Sequence, residues 1–136
     1  MSKKTVLFLC THNSSRSQMA EGLMNHFLGD RYIAFSAGTD PKGLNKFAIE
    51  AMSDIGIDMS SHYSKSVDEF KDNDFKYVVT VCDSANEQCP VFLKGNNLIH
   101  IGFNDPTSFE GSDIEKLNYF KEIRDQINDW IQKSFN

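Results

Sequence analysis

No apolar run in these 136 residues is long enough to span a bilayer, and no charged, apolar and small-residue leader opens the chain. The expected setting is therefore the cytoplasm, with no membrane as partner. Positive charge is also in short supply. Fourteen Lys and Arg stand against 19 Asp and Glu, for a net charge of −5 and a pI near 5.3, and no basic cluster interleaves with aromatics. Nucleic acid is thereby excluded as an expected partner, and any anionic ligand must be captured locally. Cysteines are few and odd in number, three in all. Without a secretory signal that count argues against a disulfide framework and for reactive thiols. No His and Cys spacing resembles a zinc site, and Cys82 with Cys89 lacks further ligands at usual spacings, so neither metal nor cofactor is expected. Linkers, repeats and low-complexity tracts are missing too. That leaves one domain over residues 1–136, expected to be monomeric, with 40% apolar residues to build a core.

What the chain does have is an alternation of apolar runs with helix-period segments, the pattern of βαβ units. Strands are predicted at Thr5–Cys10, Tyr32–Ser36, Tyr77–Cys82 and Leu98–Ile101, several apolar nearly throughout, as strands covered on both faces should be. Helices are predicted at Ser17–Leu28, at Lys46–Ile55, near Val67–Lys71, after Asp83, and from Asp113 to about Lys133. In the last, Ile114, Leu117, Phe120, Ile123, Ile127, Trp130 and Ile131 recur at spacings of three and four and read as core. Ser36-Ala37-Gly38 and Asp40-Pro41-Lys42-Gly43 read as turns. The expected fold is α/β, a single-domain, three-layer arrangement in which a four-stranded, mostly parallel sheet carries helices on both faces.

Sheets of this kind bind ligands outside the carboxyl ends of their strands, and three groups with useful chemistry fall there: Cys10, Cys82 and Asp105. Cys10 opens the run Cys10-Thr11-His12-Asn13-Ser14-Ser15-Arg16-Ser17, directly after Val6-Leu7-Phe8-Leu9 and ahead of a predicted helix. The N–H groups of such a loop can converge on one anion at a helix N-terminus, and Arg16 adds a forked, permanently charged donor set. Both favour a thiolate; free cysteine titrates near ~8.5, and sites of this kind bring it to ~3.5–7.5. Cys10 is therefore a candidate nucleophile, with Thr11 to Ser17 as the cradle for a tetrahedral oxyanion. The plainer alternative is a buried strand-end cysteine with a capping arginine nearby. Asp105-Pro106 is a common turn starter, yet beside the same sheet edge Asp105 could protonate an oxygen leaving group.

Cys82 and Cys89 lie seven positions apart. If Asp83 or Ser84 caps a helix, the two are roughly 10 Å apart along its axis, whereas a disulfide needs Cα atoms within ~4.4–6.8 Å. Bridging them requires the polar stretch between them, stopped by Pro90, to unwind. Two unrelated cysteines are the alternative.

The segments CTHNSSRSQMAEG (Cys10 to Gly22), FSAGT (Phe35 to Thr39), VVTVCDSANEQCP (Val78 to Pro90) and GFNDP (Gly102 to Pro106) together resemble the thioredoxin-coupled arsenate reductases. That family shares its fold and anion loop with the low-molecular-weight protein tyrosine phosphatases. The resemblance runs from about Lys4 through the terminal helix. It implies that the Cys10 thiolate attacks arsenate, held by the loop N–H groups and Arg16, while Asp105 protonates the departing oxygen. It implies further that Cys82 attacks Cys10 to release arsenite, and that Cys89 then attacks Cys82 to leave a Cys82–Cys89 disulfide for thioredoxin to reduce. The electron count agrees, since arsenate reduction takes two electrons and one dithiol supplies two. Asn13 matches the family's loop asparagine, suited to a left-handed backbone, and Ser17 would donate its hydroxyl to the thiolate. His12 and His62 have no matched partners in the sequence, so neither imidazole is assigned chemistry.

Two positions depart from the family pattern. Ser15 stands where many relatives have another cysteine, which leaves the three-thiol relay untouched. Lys65 stands where some relatives complete a potassium site with residues matching Asn13, Glu21 and Ser36. Its ammonium would repel that ion or stand in for it, so no potassium stimulation is expected. The nearest alternative activity is a low-molecular-weight tyrosine phosphatase acting through a Cys10 phosphoenzyme, for which Cys82 and Cys89 have no task and Thr107-Ser108 replace the usual tyrosines. A phosphocysteine carrier would not need Arg16, and a redox sensor built on Cys82 and Cys89 alone would leave the Cys10 loop unexplained.

Overall fold

Five successive apolar residues, Val6 to Cys10, bury strand β1 (Lys4–Cys10) on both faces. Val6, Phe8 and Cys10 enter one hydrophobic cluster, and Leu7 and Leu9 enter another on the opposite side. The computed structural model describes residues 2–82 and 95–135, so Cys89 and the helix expected after Asp83 lie outside the described residues. In chain order the remaining elements are α1 (Arg16–Phe27), β2 (Tyr32–Gly38), α2 (Lys46–Ser53), β3 (Phe75–Thr80), β4 (Gly95–His100) and α3 (Asp113–Phe135), with 3-10 turns at Val67–Phe70 and Pro106–Ser108. The sheet order is β2-β1-β3-β4 and every described pairing is parallel. One face carries α1, α2 and α3 over the larger cluster; Val67 and Phe70 close the smaller cluster on the other face. This is the α/β arrangement with a four-stranded parallel sheet that the sequence predicts, but among the described residues the three α-helices share one face and the other carries only the Val67–Phe70 3-10 turn.

Local chemistry fixes the element ends. Asn45 caps α2 by accepting a hydrogen bond from the Phe47 N–H at 2.8 Å. Buried Arg124 of α3 satisfies the other end, donating to the Ala51 carbonyl at 2.7 Å and to Asp54 at 3.2 Å. The Ser112 and Glu115 side chains exchange bonds with each other's backbone N–H, a capping box that starts α3. At the open edge of the sheet, Asn25 of α1 makes both a donor and an acceptor bond to the Ala34 backbone of β2, so this edge position is closed by a side chain.

Several assignments made from the sequence change, among them β4, which runs Gly95–His100 where Leu98–Ile101 is predicted. Strand β2 continues through Ser36-Ala37-Gly38, read above as a turn, because Gly38 pairs with Cys10 and bridges to Ser66. A Cβ at Gly38 would lie 2.5 Å from the Thr11 oxygen and 2.7 Å from the Cys10 oxygen, so the glycine serves close approach of backbones, not a turn. Strand β3 starts and ends two residues earlier than predicted, which leaves Cys82 beyond the ladder. In the α3 stripe, Phe120, Ile123, Ile127 and Ile131 are fully buried, whereas Ile114 is 74% exposed because it lies in the first helical turn, ahead of the part that packs on α1 and α2.

The strand after β1 in sequence lies on one side of it and β3 lies on the other. A crevice therefore opens at the carboxyl ends of β1 and β3, where the chain reverses its order. Cys10 sits at that point.

Candidate active site

The chain from Thr11 to Ser15 turns from β1 into α1, and its carbonyls are tied back from outside. Thr11 O accepts from the Asp40 N–H at 2.9 Å, His12 O from the Lys42 N–H at 3.1 Å, and Ser14 O from the Asn45 N–H at 3.0 Å. The Ser64 hydroxyl bridges the His12 and Asn13 oxygens, at 2.9 Å to each. In a trans peptide the N–H points opposite to the carbonyl of the preceding residue, so the N–H groups of His12, Asn13, Ser14 and Ser15 turn toward the inside of the loop. Asn13 makes the turn possible: its φ of 49° is the only positive value at a non-glycine residue among the described residues. The arrangement is an anion nest leading into the N-terminus of α1.

Cys10 is a free thiol, 2% exposed, and its Sγ lies 2.9 Å from Ser17 Oγ. Ser17 in turn accepts from Asn13 Nδ2 at 2.8 Å, so its hydroxyl serves the sulfur and not helix capping. Arg16, 4% exposed, donates from Nη1 to the Phe103 carbonyl at 3.0 Å, and its Nη2 lies 3.8 Å from Asp105 Oδ2. That contact brings the Gly102–Pro106 turn over the loop. Asp105 Oδ1 accepts both the N–H and the hydroxyl of Thr107, at 3.0 and 2.7 Å, which leaves Oδ2 as the oxygen directed toward the guanidinium.

Cys82 follows β3 and is completely buried and disulfide-bonded. Its neighbour Val81 donates to the Leu9 carbonyl at 2.9 Å, which holds the end of β3 against the end of β1. Cys10, Arg16, Asp105 and Cys82 thus share the carboxyl edge of the sheet as predicted, while Cys89 lies outside the described residues. His12 is on the outer rim, its Nδ1 3.1 Å from the Asp40 oxygen. Ser15 Oγ is buried with no hydrogen-bond partner among the described residues. Among those residues no group of three or more His, Cys, Asp or Glu converges to hold a metal ion, and no helix is long and apolar enough to cross a membrane.

Behind the loop lies a polar layer in which Gln18, His62 and Tyr63 join the group of Asn13, Glu21, Ser36 and Lys65 singled out from the sequence. Gln18, fully buried, donates to Asn13 Oδ1 and to the Tyr63 carbonyl, each at 2.8 Å. His62 Nδ1 is 3.0 Å from Gln18 Oε1 and 3.4 Å from Glu21 Oε2. Lys65 is buried, its Nζ donating to the Tyr63 carbonyl at 2.8 Å and standing 3.7 Å from Glu21 Oε1, which also accepts the Ser36 hydroxyl at 2.7 Å. The ammonium is also 4.5 Å from the Tyr63 ring centroid. Lys65 therefore sits among the oxygens of Glu21 and the Tyr63 carbonyl. A glutamine in the first turn of a helix that follows an anion loop was the available signal for Gln18; Thr107 was signalled by its place two residues after an aspartate.

The sequence matches the family of low molecular weight phosphotyrosine protein phosphatases over residues 5–135. It is 42% identical over 132 residues to the arsenate reductase of Halalkalibacterium halodurans, covering 97% of this chain and 95% of that one. A solved structure of an arsenate reductase in the phosphate binding state superposes with a TM-score of 0.77 at 26% identity, over 96% of this chain and 95% of the other. The thioredoxin-dependent arsenate reductase of Corynebacterium glutamicum superposes with a TM-score of 0.66 at 26% identity, over 96% of this chain and 61% of that one.

Proposed function

The chain belongs to the low molecular weight phosphotyrosine protein phosphatase family, and we propose that within it this chain is an arsenate reductase working through a three-cysteine relay. The observation that carries the reading is the pairing of a free Cys10 thiol in the anion loop with a disulfide-bonded Cys82 at the end of the neighbouring strand. A phosphatase needs the first and has no use for the second.

In the proposed cycle the N–H groups of His12 to Ser15 and the Arg16 guanidinium hold arsenate, and the Cys10 thiolate attacks arsenic. Asp105, through Oδ2, gives its proton to the departing oxygen, which leaves as water. The Cys82 thiolate then attacks Cys10 Sγ. The sulfur–arsenic bond breaks with its electron pair passing to arsenic, which is reduced to arsenite, and a Cys10–Cys82 disulfide remains. Cys89 attacks Cys82 Sγ and frees the Cys10 thiolate, and the resulting Cys82–Cys89 disulfide is reduced by the dithiol of thioredoxin. Thr11, Ser14 and Ser15 shape the cradle through their backbone, and Asn13 and Ser17 through their side chains. The protein acts as a single domain over residues 1–136, as a monomer in the cytoplasm.

Thioredoxin-coupled NADPH consumption with arsenate tests the reading, run on the parent and on Cys10→Ser, Cys82→Ser and Cys89→Ser beside hydrolysis of p-nitrophenyl phosphate. Cys10→Ser and Cys82→Ser should be inactive with arsenate, and Cys89→Ser should stop after one turnover. Phosphate ester cleavage indifferent to Cys82 and Cys89, without arsenate turnover, would assign the chain to the phosphatases instead.

A further inference from the structure

We infer that Gln18 is a positioning residue for the nucleophile: together with the main chain at Tyr63 and Lys65, it fixes the direction of the hydrogen bond that Ser17 gives to the Cys10 sulfur. This rests on Cys10 being the nucleophile. A hydroxyl beside a sulfur can donate to it or accept from it, and only donation stabilises a thiolate. Here the choice is settled two residues away, by backbone groups whose polarity cannot change.

The Tyr63 carbonyl can only accept, so the amide group of Gln18 at 2.8 Å from it must be Nε2. The Lys65 N–H can only donate, so the Asn13 atom at 2.8 Å from it must be Oδ1. Gln18 Nε2 donates to that same Oδ1 at 2.8 Å, with a weaker contact to the Asn13 carbonyl at 3.2 Å, so the two amides are locked against each other. Asn13 Nδ2 is then left facing Ser17 Oγ at 2.8 Å. Because Ser17 Oγ accepts that bond, its own proton is free to point at Cys10 Sγ, 2.9 Å away. Gln18 Oε1 is left to accept, so His62 holds its proton on Nδ1. The charged and titratable groups around the chain of bonds are Arg16 and Asp105 in front, Glu21, His62 and Lys65 behind, and His12 with Asp40 on the rim.

The test uses the full chain carrying Cys82→Ser and Cys89→Ser, so that Cys10 is the single thiol, and follows the ultraviolet absorbance of its thiolate against pH. No arsenate is involved, so failure here and failure of the reductase reading are told apart. Gln18→Met, which fills the space without donors, should lower the ionised fraction on the rising limb about tenfold, the equivalent of roughly 1.4 kcal/mol for one charge-assisted bond. Gln18→Leu, a second donor-free side chain that adds no charge, should act in the same direction; it decides the matter if Gln18→Met does not fold. In a double-mutant cycle, Gln18→Met should add little to Ser17→Ala, since both act through one bond. An ionisation curve unchanged in the folded Gln18 variants, even with a lowered melting temperature, overturns the inference, as do fully additive effects of Ser17 and Gln18.

Discussion

Replacing Lys65 with methionine removes one charge from beneath the anion loop while keeping most of the side-chain volume. The side chains of Lys65 and Glu21 are only 8% and 13% exposed and their charged atoms are 3.7 Å apart. At that separation the attraction is about 4 kcal/mol at an effective dielectric of 20, part of it offset by dehydration of the ammonium. Breaking a buried pair typically costs ~3–5 kcal/mol. Glu21 retains the Ser36 hydroxyl at 2.7 Å and His62 at 3.4 Å, so the cost falls at or just below the low end of that range, about 2–3 kcal/mol. For a chain of this length that lowers the melting temperature by roughly 8 °C. The oxygens of Glu21 and the Tyr63 carbonyl stay behind, a set suited to a hard monovalent cation. Potassium filling it with a Kd near ~10 mM would return about 1.4 kcal/mol at ~100 mM. Thermal unfolding and arsenate turnover should be followed in chlorides of potassium, sodium and tetramethylammonium at equal ionic strength. The parent should show no preference, and Lys65→Met should be destabilised and recover in part in potassium or sodium but not in tetramethylammonium. A parent that gains activity specifically in potassium, or a variant that melts with the parent, would refute the internal-cation argument.

Other outcomes follow from single contacts. Gly38→Ala forces a Cβ to within 2.5 Å of a backbone oxygen that cannot move without the loop; a loss of about 3 kcal/mol or more in chemical denaturation is expected, together with loss of oxyanion binding by calorimetry. Thr107→Val removes the 2.7 Å hydroxyl bond to Asp105 and should lower kcat about fivefold, roughly 1 kcal/mol, with KM little changed; an unchanged kcat would show that the backbone bond suffices. The Asp54 carboxyl is held below its ordinary 3.8, mainly by the hydrogen bond from Arg124 and then by Lys121. A depressed carboxyl adds stability that is complete above its unfolded value and vanishes as pH falls through the lower folded one. Asp54→Asn should therefore melt below the parent at neutral pH and converge with it in strong acid; a gap that persists in strong acid would point to packing instead.

Residues whose role is set by their immediate neighbours were legible in the sequence. The apolar run Val6 to Leu9 announces a doubly buried strand, and a Cys followed by Arg at the sixth position announces a loop with an inward-facing backbone. The strand ends were less legible, because Gly38 and Cys82 are placed by main-chain partners in β1 and at Ser66. Ile114 misled because helical spacing gives the face but not how far along its length the helix is covered. Gln18 escaped assignment for a related reason. Its partners at His62 and Tyr63 are more than 40 positions further along the chain, joined only when the parallel sheet brings β2 and the chain after α2 behind β1.

The four tied-back carbonyls have a mechanical consequence. Their tethers, at Asp40, Lys42, Asn45 and Ser64, all precede β3 in the chain, on a different stretch from the one between Cys82 and Cys89. The loop hangs on a frame that does not include the stretch carrying Cys82 and Cys89. In the proposed relay, each oxidation and reduction would leave those tethers untouched, so the next anion would meet a cradle already in shape.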